Sequence, residues 1–368
     1  MSEPRTLDAA TLRRTGLRAG LDAVGVAGAA PFDGTRATLE TRRADGLHGG
    51  MQFTYRNPQR STDPARALPG ARSLVVGARR YPATPPSKPP DGPHARVAAY
   101  ARADHYAALR AGLGAIADEL RAGGWQARVL ADDNALVDRA AAHRAGLGWY
   151  GKHSNVLLPG RGSWFVLGSV VTDAPLEPAT TPVEDGCGSC RRCIVGCPTD
   201  AIVARGVVDA RRCLAWSLQA TGEFPRDQRV ALHDRIYGCD ECQEVCPHNA
   251  VSGDPDGDHR DDDVWVSIER LLEDDDATLL ARHGRWYIPE RDARYLRRNA
   301  LVVLGNVGDP GAARTVALLE HYLDGPDDLL RAHAAWAARR LGRQDLLTAR
   351  AGDPIVRREL HEPAPPPR

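Results

Sequence analysis

The chain has 368 residues, enough for about two or three domains at roughly 150 residues each, and 42% of them are hydrophobic, so a buried core is assured. Lysine and arginine total 48, as do aspartate and glutamate, so net charge says nothing about a polyanionic partner, and only local patches could reveal one. No run of ~18 apolar residues occurs, which argues against a membrane span, and MSEPRTLDAATLRR lacks the basic start and apolar core of a secretion signal. The expected location is the cytoplasm, where thiols stay reduced and clustered cysteines bind metal or carry out redox chemistry.

In chain order, SLVVGA (Ser73 to Ala78) reads as a short buried strand. YPATPPSKPPDGPH follows as an exposed loop. HYAALRAGLGAIADEL places Leu109, Leu113, Ile116 and Leu120 on one helical face, stopped by Gly123 and Gly124. WQARVLA predicts a strand, RAAAHRAGLG a short helix ending in glycine, and SWFVLGSVVT another strand. The pattern fits an α/β or α+β domain over residues 1–180, within a chain that is α+β as a whole. Residues 181–255 form the cysteine region, and the acidic SGDPDGDHRDDD after it reads as a solvated loop. Residues 264–350 are helical. There RRNALVVLGNVGD and WAARRLGRQD share Ala300, Leu304 and Gly305 against Ala337, Leu341 and Gly342 at an offset near that of stacked two-helix repeats, with a plain helical bundle as the alternative. Residues 351–368, ending in EPAPPPR, read as a disordered tail.

All eight cysteines fall in the cysteine region. Cys187, Cys190, Cys193 and Cys197 precede Pro198 in the order C-x2-C-x2-C-x3-C-P, the bacterial ferredoxin run in which three thiolates ligate one [4Fe–4S] cluster and the fourth reaches the other. Cys239, Cys242 and Cys246 precede Pro247 and form a second run one cysteine short, leaving Cys213 to complete it. Crossing the fourth ligands assigns Cys187, Cys190, Cys193 and Cys246 to one cluster and Cys197, Cys213, Cys239 and Cys242 to the other. Paired zinc sites are the competing reading, but x2-x2-x3-Pro is not a zinc spacing. The cysteines therefore indicate electron transfer without indicating its destination. There is no P-loop and no G-x-G-x-x-G after a strand, and the cobalamin signature D-x-H-x-x-G is also absent.

The stretches YRNPQRSTDPARALPGARSLVV, AAYARADHYAALR and DDNALVDRAAAHRAGLGWYGKHSNVLLPGRGSWFVLGSVVTD, with the two cysteine runs and RRNALVVLG, carry a further reading. From about Leu21 to Leu341 the chain resembles the epoxyqueuosine reductases, cobalamin-dependent enzymes that complete the queuosine base of tRNA. The resemblance implies an N-terminal cobalamin-binding domain, a ferredoxin-like domain with two [4Fe–4S] clusters and a C-terminal helical domain of HEAT-like repeats. It implies two cofactors, the clusters and a cobalamin held without a protein histidine under cobalt, and reduction of epoxyqueuosine at the wobble position. It further implies tRNA as substrate, an external electron donor and a monomer.

Epoxide oxygen is a poor leaving group unless protonated, and the family's acid is an aspartate opening a motif that resembles D-T-G-x-x-x-x-R. The matching stretch runs from Asp132 to Arg139, which makes Asp132 the proton donor, with Asp133 and Asn134 standing where the family has Thr-Gly. The resemblance implies cobalamin contacts at Arg60, Tyr100, Asp132, His153, Ser154, Asn155, Val156, Leu167, Ala215 and Asp240, with His153 where family members often carry asparagine. Gln219 matches a position associated with tRNA. Arg291, Arg294, Arg297 and Arg298 share a broad helical face suited to phosphates, and Tyr295 is either a base-stacking residue or core. Two other functions compete. A reductive dehalogenase-like catalyst acting on a small molecule would have no use for the basic helical region, and a non-catalytic electron carrier would have none for the N-terminal domain.

Overall fold

The computed structural model describes residues 8–83, 88–249 and 264–363. They form two compact units interleaved in sequence: residues 8–83, 103–211 and 241–249 in the first, and 88–102, 212–240 and 264–363 in the second. The acidic stretch SGDPDGDHRDDD and part of the proline-rich loop lie outside the described residues.

The first unit is built on a four-stranded sheet of β1 (Ala23–Gly28), β2 (Ser73–Arg80), β3 (Ala127–Ala131) and β4 (Phe165–Thr172) in the order β1-β2-β4-β3. Every pair is antiparallel. This corrects the α/β expectation for the N-terminal region to its α+β alternative, because helix–strand alternation in sequence does not specify strand direction. Ahead of β1 lies α1 (Ala9–Arg18). The helix α2 (His105–Ala122) buries Leu109, Leu113, Ile116 and Leu120 completely, as its periodicity predicts, and ends at Gly123 with Gly124 at φ +88°. Gly77 and Gly168 face each other across β2 and β4, and a Cβ on either would approach the Leu113 side chain to 2.9 or 2.8 Å. The two glycines thus let α2 seat a leucine into the sheet. The other face of β2, carrying Leu74, Val76 and Ala78, packs with Ala140, Ala141 and Ala142 of α3 (Asp138–Arg144).

In the second unit, strand His94–Val97 pairs in parallel with Arg235–Tyr237 and antiparallel with Trp265–Ser267. Its core is helical, with Phe224, Trp286 and Trp336 buried among leucines of α4 (Arg294–Val307), α5 (Ala313–Leu323) and α6 (Asp328–Arg340). The offset repeat does not carry over to its glycines. Gly305 lies inside α4, where a Cβ would come within 2.8 Å of Trp336 and 2.9 Å of the Ala337 Cα, whereas Gly342 follows α6 at φ +75° with open space around it. One permits helices to approach; the other terminates a helix.

The disordered-tail expectation is also corrected. Residues Pro354–His361 form α7, capped by Asp353, with Val356 fully buried and the buried Glu359 paired with Arg226 and Arg339. The proline-rich ending hides this because its signal comes from the last few residues alone; residues 364–368 lie outside the described residues. Among the described residues no helix is long and apolar enough to cross a membrane.

Candidate redox centre and proton-donor site

The first unit brings Cys187, Cys190, Cys193 and Cys246 into one neighbourhood. Burial pushes the thiols of Cys193 and Cys246 upward, and charge on Cys187 and Cys190 pushes both the same way. Thiols that oppose one another's ionisation are the donor set that iron neutralises, so these residues fit a [4Fe–4S] cluster. Backbone N–H groups add to the fit. Cys246 is the target of those of His248 and Asn249, and the Cys197 sulfur accepts from Ala201 N at 3.2 Å. All eight cysteines are free thiols. Of the second proposed ligand set, Cys197 and Cys242 belong to the first unit, and Cys213 and Cys239 to the second.

A buried amide network holds the end of the second run in place. Asn249 Oδ1 accepts from Ser163 N at 2.7 Å, its Nδ2 donates to Gln243 O at 2.8 Å, and Gln243 Nε2 donates to Ser163 O at 3.1 Å. Gly162 is required here, since a Cβ would lie 2.1 Å from Asn249 Oδ1. Sequence reasoning missed Ser163, Gln243 and Asn249. Their only signal is position beside a cysteine run and a strand start, and burial is what makes them matter.

Asp132 follows β3, one step beyond the Ala131–Gly168 pair and so beside Leu167 of β4, with a positive φ of 55°. That left-handed conformation is uncommon for residues other than glycine, and aspartate is among the side chains that adopt it most readily. Its side chain reaches solvent, yet the surrounding protein desolvates it enough to raise its pKa above the usual 3.8, against the pull of Arg110 and with help from Asp133. Asp133 itself accepts from Ala135 N at 2.8 Å, which commits it to shaping the loop. The Arg60-bearing turn is tied to this loop. Ser61 Oγ donates to Asn134 O at 2.6 Å, and Val137 N donates to Ser61 O.

Asp138, at the start of α3, escaped sequence reasoning. Its Oδ1 is buried without a hydrogen-bond partner, and burial, followed by the charge of Asp132, raises its pKa well above the ordinary value. The charge of Asp132 thus reaches Asp138, and burial and that charge together favour the acid form of the inner carboxyl.

His153, Ser154 and Asn155 lie at the tip of the hairpin pairing Trp149–Tyr150 with Val156–Leu157. The tip is clamped by Ser154 Oγ donating to Gly206 O and Gly206 N donating to Lys152 O, and Arg139 Nη1 reaches Ser154 O at 3.4 Å. His153 is buried. Its Nδ1 accepts from Asn155 N at 3.2 Å, and burial lowers its pKa to about 4, so it is neutral with its proton on Nε2, a buried atom without a partner. An orphaned donor in this segment fits a ligand that offers an acceptor. Val156 and Leu167 are buried core residues of the first unit, while Arg60 is exposed.

In the second unit, Tyr100, Gln219 and Asp240 gather. Asp240 is buried and accepts from Ala99 N at 2.6 Å, fixing the turn that carries Tyr100, and Gln219 Nε2 stands 3.5 Å from the Tyr100 hydroxyl. Gly238 at φ +74° lets Tyr100 approach, since a Cβ would meet its Cε1 at 2.8 Å. Ala215 lies in the adjoining short helix Leu214–Ser217.

Residues 186–249 match the family model described as a 4Fe-4S double cluster binding domain. An epoxyqueuosine reductase from Xanthomonas campestris is 36% identical over 92% of this chain and 97% of its own length. The chain belongs to the epoxyqueuosine reductase family. Solved members superpose closely. The Streptococcus thermophilus epoxyqueuosine reductase gives a TM-score of 0.85 at 26% identity, covering 95% of this chain and 96% of its own. An epoxyqueuosine reductase solved with an epoxyqueuosine-modified tRNA-Tyr stem loop gives 0.82 at 27%, with the same coverage.

Seen as an epoxyqueuosine reductase family member, the chain does not present its four C-terminal arginines as one face. Arg298 is fully buried and donates to the carbonyls of Ser217, Leu218, Ala220 and Gly222. It is core, which corrects its reading as a phosphate contact. Arg297 is largely covered and paired with Asp276, Arg294 is half-exposed against Asp292, and Arg291 precedes the helix at φ +57° and donates to Gly284 O. Tyr295 is buried, so it is the core alternative that holds. A helical wheel places arginines by spacing and takes no account of the segment 217–222 packed over them.

Proposed function

We propose that the protein reduces epoxyqueuosine to queuosine in tRNA, with Asp132 as the proton donor to the epoxide oxygen. The observation that carries the reading is Asp132 itself: in a chain of this family, the residue matching the family's acid ends a sheet strand and has a raised pKa. In this proposal residues 1–180 bind cobalamin, 181–255 bind two [4Fe–4S] clusters, and 264–350 contribute the HEAT-like helical surface for tRNA. Cys187, Cys190, Cys193 and Cys246 hold one cluster, and Cys197, Cys213, Cys239 and Cys242 the other.

The net reaction takes two electrons and two protons, breaks both C–O bonds of the epoxide, leaves a carbon–carbon double bond and releases water. Cobalamin, when bound, supplies reducing equivalents to the epoxide carbon. Asp132 delivers a proton to the oxygen as its first C–O bond breaks, and a raised pKa keeps more of it in the acid form that can donate. Burial, with the charge of Asp133 beside it, is what favours the acid form of Asp132. Arg60, Tyr100, Ser154, Asn155, Val156, Leu167, Ala215 and Asp240 line the cofactor, and His153 donates from Nε2. Gln219, Arg291, Arg294 and Arg297 serve the tRNA.

The test is direct. The enzyme, reconstituted with clusters and cobalamin, is given reductant and tRNA carrying epoxyqueuosine, and the nucleosides are weighed after digestion. Queuosine is the expected product; unchanged epoxyqueuosine with both cofactors bound overturns the assignment.

A further inference from the structure

Lys152, beside His153 at the hairpin tip, is buried, with 8% of its surface exposed. Its Nζ donates to Gly188 O at 2.7 Å and to Cys190 O at 2.6 Å. Both carbonyls belong to the loop between the first cysteines, where Gly188 adopts a positive φ of 46°. Among the described residues no carboxylate pairs with this ammonium. Burying a cation is costly, and two carbonyls need only a neutral donor to be satisfied. The protein thus places an unneutralised positive charge against a loop of thiolate ligands.

The counter-charge missing from the protein is supplied by the cluster. Thiolates around a [4Fe–4S] core carry net negative charge, and one-electron reduction adds to it. A fixed cation in a low-dielectric site attracts the reduced form more than the oxidised form. We propose that Lys152 raises the reduction potential of the cluster held by the first cysteine run and so creates a potential step between the two clusters. Lys152 is a positioning and tuning residue, acting through the cluster rather than on the substrate. The inference rests on the assignment of Cys187, Cys190, Cys193 and Cys246 to one cluster, which loss of the same EPR signal in Cys193→Ser and Cys246→Ser tests separately.

The experiment is an EPR-monitored redox titration of the reconstituted holoenzyme and of Lys152→Met, Lys152→Gln and Lys152→Arg. Gln keeps a donor for the carbonyls without the charge, and Arg keeps the charge. In Met and Gln, one of the two clusters is expected to become harder to reduce by about tenfold or more in its one-electron equilibrium, about 59 mV. The other cluster keeps its potential, and Arg restores the unaltered value. If Met fails to retain both clusters by iron and sulfide content, Gln alone decides. Unchanged potentials in Gln overturn the proposal, as does a shift in Arg equal to that in Gln, which would trace the effect to packing.

Discussion

Asp132 and Asp138 show how one loop sets two carboxyls to different tasks. Asp132→Asn removes the transferable proton while keeping the shape of the side chain. We expect turnover to fall by about 10²-fold or more, in line with the usual worth of a general acid, with cobalamin still bound by its absorbance. The rate should also fall as pH rises through the raised pKa of Asp132, because only the acid form donates. For Asp138 the expected effect is on stability. Its folded pKa is raised, so between its unfolded and folded values the native state holds a proton that the unfolded state has lost. Its stabilising contribution is therefore complete below the unfolded pKa and lost as pH rises through the folded one. Melting temperature should decline with pH in that window, and Asp138→Asn should flatten the decline. A slope identical to that of the unaltered protein removes Asp138 from this role.

At the scale of elements, periodicity was a sound guide wherever one segment decided its own burial. The spacing of Leu109, Leu113, Ile116 and Leu120 specifies α2 and its buried face because all four lie on one helix. It failed at α4, where the arginine spacing is equally regular but residues 217–222 cover Arg298. Burial lowers its pKa to about 10, so Arg298 stays charged at neutral pH, and its guanidinium donates to the carbonyls of Ser217, Ala220 and Gly222. Arg298→Ala should cost about 3 kcal/mol or more, read as a lower denaturation midpoint in the absence of tRNA. A phosphate contact would instead weaken tRNA binding without moving the midpoint. Gly305→Val should cost about 1–3 kcal/mol by forcing α4 from α6, since its branches extend beyond a Cβ already in contact with Trp336 and the Ala337 backbone.

For the whole molecule, the crossed ligand assignment makes a prediction that spans the chain. Cys246→Ser is expected to abolish the same EPR signal as Cys193→Ser, while Cys197→Ser abolishes the other. Loss of one common signal in Cys193→Ser and Cys197→Ser would show that the first run closes on a single cluster. The number and spacing of cysteines, the amphipathic helices and the Asp132–Arg139 motif were all legible in the sequence, because each depends on residues near one another along the chain. Antiparallel strand order, the burial of Arg298, the raised pKa of Asp138 and the Lys152 contacts with Gly188 and Cys190 were decided only by the tertiary structure. Each depends on which distant segments meet and exclude water, and that exclusion, more than residue type, sets the charge and reach of a side chain.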